Sequence, residues 1–186
     1  MKKEIDILRP RSAAAWRLWL AEHFERRDTV WVAVSKKNAA KPTLSQAEAV
    51  DEALCWGWID GTARSLDEDY FLQSFSRRKP RSVWSAINKN KVARFIEEGR
   101  MQQPGLDSIA VAKANGYWSI LDDVEALKIP PDLEDALKKK PEAYDAFMAL
   151  SPSRKKQLLK TLALAQRAET REKRVQTIVE EMMKAI

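Results

Sequence analysis

The stretch Trp58-Ile-Asp-Gly-Thr-Ala-Arg-Ser-Leu-Asp-Glu-Asp-Tyr-Phe-Leu-Gln-Ser-Phe-Ser-Arg77 decides the fold. It reads as two strands, 58–66 and 70–77, joined by the acidic turn Asp67-Glu68-Asp69. Upstream, residues 29–37 are β-branched and apolar on both alternating faces, the pattern of a strand covered on both sides. Between these segments Ser45-Gln-Ala-Glu48 forms a capping box that opens a helix to about Trp56, and Gly57 stands where a C-terminal cap belongs. Ahead of them Ser12 caps a helix over 13–27, with Trp16, Leu20 and Phe24 one turn apart and Trp19 beside them.

Downstream, Pro80 ends the strand pattern. Ser82 or Ser85 then caps a helix through Ile87, Val92, Phe95 and Ile96 that closes at Gly99. Pro104-Gly105 marks a turn before a helix over 106–114, closed by Asn115-Gly116. From Ile129 the chain reads as helical throughout, with starts at Pro131, at Pro141, at Ser151-Pro152 and at Glu169-Thr170. The order predicts an α+β fold, a small mixed or antiparallel sheet with helices, followed by a C-terminal all-helical segment. The expected organisation is an α+β domain over 1–126 and a helical domain over 127–186.

Composition narrows the chemistry. Of 186 residues, 45% are hydrophobic and 32% charged, a globular balance. No apolar run approaches the ~20 residues that span a bilayer. The first ten residues carry acids and lack the apolar stretch of a secretory signal, so a cytoplasmic location is expected. Cys55 is the only cysteine and His23 the only histidine, which leaves no intramolecular disulfide and no Cys/His zinc site. No metal or redox cofactor is implied.

The net charge of +6 is local. Residues 73–100 hold 8 Lys/Arg against 2 Asp/Glu, whereas the segments on either side are close to neutral.

Several separated motifs share one family pattern. They are Trp31, then Ala53-Leu-Cys-Trp-Gly-Trp-Ile-Asp-Gly61 and Arg77-Arg-Lys-Pro-Arg-Ser-Val-Trp-Ser-Ala-Ile-Asn88. Gly99-Arg-Met101, Pro104-Gly105, Ala112-Lys113 with Gly116-Tyr-Trp118, and Glu169-Thr-Arg-Glu-Lys-Arg174 follow. In this order they resemble the YdeI/OmpD-associated family, also labelled bacteriocin-protection proteins, over about 13–183. The block from Ile129 onward looks like that family's C-terminal OmpD-associated domain. The resemblance implies this fold, a link by name to an outer-membrane porin, and a role in stress or antimicrobial-peptide protection. It implies no reaction, substrate or catalytic residue.

The strongest chemical signal is the cationic run from Arg77 to Arg81 that leads straight into a helix N-terminus. Unpaired amides and the helix dipole favour an anion there. The expected anion site is Arg77, Arg78, Arg81, Ser82, Trp84, Ser85 and Asn88, with Arg supplying a planar two-donor fork and Trp84 a stacking face. Trp58 and Asp60 are expected to line a pocket nearby, unless the tryptophans are simply core. Cys55 falls in the last turn of its helix, where a thiolate is disfavoured, and is expected to be structural.

Three functional classes follow from these residues. The first is a binding protein for a small anion or phosphorylated ligand. The second is an enzyme of unknown reaction using Asp60 with Arg77, Arg78 and Arg81. The third is a protein-interaction module whose partner docks on the C-terminal helices. The patch covers one loop and one helix only and carries no nucleic-acid-binding signature, which argues against nucleic acid.

Overall fold

A computed structural model describes residues 6–184. The chain divides into two compact units, one ending at Tyr117 and the other beginning at Trp118. The first unit is α+β and the second is helical.

In the first unit a short strand β1 (Ile7–Leu8) precedes α1 (Ala13–His23), β2 (Val30–Ser35), α2 (Gln46–Cys55), β3 (Trp58–Ser65) and β4 (Tyr70–Arg77). Two helices follow, α3 (Ala86–Glu97) and α4 (Gln103–Ala114). The sheet has the order β1-β2-β4-β3, with β1 parallel to β2 and the remaining pairs antiparallel. Sheet and helices thus match the α+β architecture expected from the sequence. β1 is an addition, too short at two residues to leave a periodic signal.

Pairing sets one face of the sheet against α1 and α2. Val30 pairs with Phe75, and Val32 and Val34 lie at alternate positions along β2. These residues form one core cluster with Trp16 and Leu20 of α1, Ala49 and Ala53 of α2, and Trp58 of β3. Burial of such large apolar groups is the main stabilising contribution of the unit. The two indoles also find carbonyls. Trp16 Nε1 donates to Ala49 O at 3.1 Å and Trp58 Nε1 to Phe24 O at 3.2 Å.

Local signals explain most boundaries. Ser45 Oγ accepts from Glu48 N and the Glu48 carboxylate accepts from Ser45 N, the reciprocal box that the sequence announces. The Ser45 hydroxyl, which donates to Glu48 Oε2 at 2.6 Å, and then the Ser45 amide hold the Glu48 carboxyl below its ordinary pKa. α1 stops at His23 rather than 27, since His23 Nδ1 donates to Trp19 O at 2.8 Å and the chain then turns through Arg26 N to His23 O. Ser85, not Ser82, caps α3. Pro104-Gly105 lies inside the first turn of α4 instead of before it, a position where proline's missing N–H is harmless.

Glu52 is a buried charge of this unit. Its carboxylate takes Arg17 Nη1 on one oxygen and Arg100 Nη2 on the other, both at 2.9 Å. Arg17 Nη2 also reaches Arg100 O at 3.1 Å, which ties α1, α2 and the α3–α4 connection together.

Backbone contact fixes α4 against the α2–β3 turn. Gln102 N donates to Cys55 O at 3.0 Å, and a Cβ built on Gly105 would stand 2.3 Å from that same oxygen. Gly57 has φ +73, and a Cβ there would meet Pro104 O at 2.7 Å. Both glycines are required by close approach. Cys55 is buried at this junction; desolvation, with help from the Glu52 charge, pushes its thiol up to about 11. It stays a neutral structural thiol at physiological pH.

The second unit holds α5 (Asp122–Glu125), α6 (Pro131–Lys138), α7 (Pro141–Ala149), α8 (Pro152–Ala163) and α9 (Ala168–Lys184). α6, α7 and α8 begin at the prolines the sequence marks, and α9 begins at Ala168, one residue ahead of the expected Glu169. α5 leaves no such signal. It lies in this unit, where Lys156 pairs with Glu125 at 2.7 Å, and the division between the two compact units falls at 117/118. Leu133, Leu137, Phe147, Leu162, Ile178 and Met182 form the buried interior. Arg171 grips Asp132 with Nε and Nη2 at 2.6 and 2.8 Å, joining α9 to α6.

Two stability measurements check these contacts. Gly105→Ala should lower the unfolding free energy by about 2–3 kcal/mol in urea denaturation, because its new Cβ overlaps backbone. Gly99→Ala, at φ +65 but with open space around it, should cost only about 1 kcal/mol.

The Arg171 hydrogen bond holds the Asp132 carboxyl below its ordinary range. A depressed carboxyl stabilises the fold above its unfolded pKa of about 4 and loses that contribution as pH falls. With side chains 34% and 42% exposed, the pair is worth only about 0.5 kcal/mol. Asp132→Asn should therefore lower the urea midpoint slightly at pH 7, and the difference should shrink as pH falls below about 4.

Candidate functional site

β4 ends at Arg77, and the next residue turns inward. Arg78 N donates to Gly57 O at 2.9 Å, carrying the strand pairing one step past β4 into the α2–β3 turn. A tight turn follows over 79–82, with Pro80 at its second position. Ser82 N donates to Lys79 O at 2.9 Å and Lys79 N to Ser82 Oγ at 3.0 Å. Asn115 Nδ2 donates to Pro80 O at 2.6 Å and pins this turn to the end of α4.

Arg78 is the unusual residue. Only 8% exposed, it lies with its guanidinium carbon 3.7 Å from the ring centroid of the buried Trp84. Nη1 donates to Val83 O at 3.1 Å. Nε and Nη2 are buried and have no hydrogen-bond partner. Among the described residues the only other buried side-chain nitrogen in that condition is Trp56 Nε1. Burial pushes the Arg78 guanidinium down to about 10, and the negative charge of Asp60 offsets part of that. The group is still a cation at pH 7. An incompletely bonded buried cation is costly, so its retention calls for a compensating role.

A cleft of about 430 Å³ opens beside it. Arg27, Arg77, Arg78 and Lys79 bring four cations to its lining, against the single carboxylate of Asp107. Among the described residues Arg27, Arg77 and Lys79 make no ion pair. α4 contributes Pro104, Asp107, Ser108 and Val111, which recur at helical spacing on one face, and Gly57 and Pro80 complete the lining. Asp107 accepts from Gln103 Nε2 at 2.7 Å, and Ser108 Oγ donates to Gly105 O at 2.8 Å. The charge balance suits an anion.

The structure redistributes the residues picked from sequence. Arg77 and Arg78 meet in the cleft. Arg81 is exposed on the turn outside its lining. Ser82 closes the turn by accepting from Lys79 N, and Ser85 caps α3 by accepting from Asn88 N; neither lines the cleft. Trp84 is 1% exposed and supports Arg78 from below instead of offering an open stacking face. Trp58 is wholly buried core. Asp60 is half-buried on β3 outside the cleft lining, where its charge acts on Arg78. The cations therefore gather around Arg78 rather than at the N-terminus of α3. Arg27 and the α4 face were missed because no local pattern links them to the basic run.

The other expected surface was an apolar groove on the C-terminal helices. A groove of about 540 Å³ lies along α8 and α9, where Leu158 and Ile178 are buried and Leu164 is half-buried beside Lys160, Arg174 and Glu181. No described helix is long and apolar enough to cross a membrane, and the described residues contain no group of three or more potential metal ligands of the His, Cys, Asp or Glu type.

Comparison with known families divides the chain in a similar place. Residues 8–108, more than half of it, match a family described as Domain of unknown function (DUF8412). Residues 126–184 match the family described as Bacteriocin-protection, YdeI or OmpD-Associated. No curated protein and no solved structure matches the chain. The OmpD-associated likeness read from sequence over most of the chain thus resolves into two parts. The chain belongs to the family of that domain of unknown function through residues 8–108, and its C-terminal helices match the YdeI/OmpD-associated family over 126–184.

Proposed function

We propose that this is a cytoplasmic binding protein for a small anion, with the cleft beside Arg78 as its binding site. The observation that carries the reading is the pair of unpartnered, buried nitrogens on Arg78 next to three further cations. A buried guanidinium lacking two bonds destabilises the free protein, and an oxyanion supplies the missing acceptors. Arg27, Arg77 and Lys79 draw the anion in and share its charge. Binding to the folded state alone then raises stability with ligand concentration.

A protective role against bacteriocins or related stress remains attached to this proposal through the C-terminal family's name alone. The anion site gives it a physical form, since sequestering or sensing a charged metabolite needs no catalytic group. Asp60 stands outside the cleft lining, which favours binding over an Asp60-based reaction.

Thermal unfolding with a panel of inorganic and organic anions at fixed ionic strength tests the proposal. At least one anion should raise Tm by several degrees at millimolar concentration, and Arg78→Met should abolish the rise. In the absence of anion Arg78→Met should change stability by less than about 1 kcal/mol. Its lost bond to Val83 and lost indole contact are offset by removal of an uncompensated buried charge. A panel with no stabilising anion, or an Arg78→Met variant that responds like the parent, rejects the site.

A further inference from the structure

The free edge of Arg78 and the walls of the cleft together say what sort of anion fits. In a guanidinium, Nε and Nη2 share one edge, and their N–H bonds point the same way. This is the side-on fork that takes both oxygens of a carboxylate. Nη1, on the far side, is already committed to Val83 O. The unpartnered atoms are therefore the matched pair, not a random remainder.

The same chain shows what such an edge does when an acceptor is present. Arg26 Nε and Nη2 hold the two carboxylate oxygens of Asp28 at 2.9 and 2.5 Å. Arg171 does the same to Asp132 at 2.6 and 2.8 Å. Arg78 presents that edge, buried, with the carboxylate absent from the protein itself.

Size and polarity of the cleft carry the argument further. A volume of about 430 Å³ is several times what one small inorganic oxyanion fills. The surplus lies against carbon. Pro80, Pro104 and Val111 line it, and Val111 is 44% exposed on α4. An apolar side chain held open beside four cations matches a ligand with one charged end and a hydrocarbon body.

We infer that the cleft binds an organic carboxylate with an apolar body, its two oxygens on Nε and Nη2 of Arg78 and its hydrocarbon against Pro80, Pro104 and Val111. This rests on the anion-binding reading and narrows it to a monocarboxylic acid of medium length. Inorganic phosphate and acetate satisfy the fork but leave the apolar wall wet. Both nitrogens are closed to solvent in the free protein, so binding requires side chains lining the cleft to move aside.

Isothermal titration with acetate, butyrate, hexanoate, octanoate and inorganic phosphate, at constant ionic strength and pH 7, tests the inference. Affinity should tighten by between about two- and fourfold per added methylene, the gain from burying each group wholly or in part. Octanoate should bind at least tenfold tighter than phosphate. Val111→Ser, on an exposed helix position, should weaken octanoate severalfold and leave acetate unchanged, while Arg78→Met should weaken both. If phosphate or acetate binds as tightly as octanoate, the organic-acid inference is overturned and the anion site stands. If octanoate binds equally to the parent and Arg78→Met proteins, the contact is non-specific and the inference is overturned. If no anion of the series binds, the inference and the reading beneath it fall together.

Discussion

Two carbonyl oxygens at the end of α2 hold the first unit in register. Cys55 O receives Gln102 N and sits against the bare Cα of Gly105, while Gly57 O receives Arg78 N. One turn of backbone thus fixes both the start of α4 and the exit of β4. A side chain at either glycine would push the two apart. Because the cleft lies between those elements, its cations and its apolar residues are positioned by main chain, which is the stiffest support available.

Stiff support lets Arg78 persist in a state that a flexible loop would relieve. Its indole neighbour, its bond to Val83 and the Lys79–Ser82 turn hold the guanidinium inside, although two of its donors stay unmatched. Contrast Glu52, a charge of similar burial with both oxygens bonded to arginines. One is a finished ion cluster that ties helices together. The other is finished only by something from outside, and that difference separates a structural charge from a binding one.

Elements with their own local chemistry were legible in the sequence. The Ser45–Glu48 box, the Gly57 cap, the 58–77 hairpin and the prolines opening the C-terminal helices each encode a boundary through a few adjacent residues. What depended on distance was not. β1 gains its strand only by pairing with β2, and α5 is a single turn held by contacts from α8. The basic run was visible as charge, yet its geometry was not. Sequence treats Arg77, Arg78 and Arg81 alike, whereas the fold buries the second, admits the first to the cleft and leaves the third outside. Ser82 and Ser85 looked like ligand donors because a hydroxyl near a helix start serves a cap and an anion equally well. Here each accepts a backbone N–H and stands outside the cleft lining.

The most direct test of the central claim observes the Arg78 fork itself. Heteronuclear NMR of arginine side-chain N–H groups resolves Nε–H signals, and Arg78→Lys assigns this one by its disappearance. On titration with octanoate the account requires the Arg78 Nε–H signal to move strongly downfield, as it gains a charged acceptor, and to exchange more slowly with water. An Arg78 signal that stays in place while octanoate binds would contradict it.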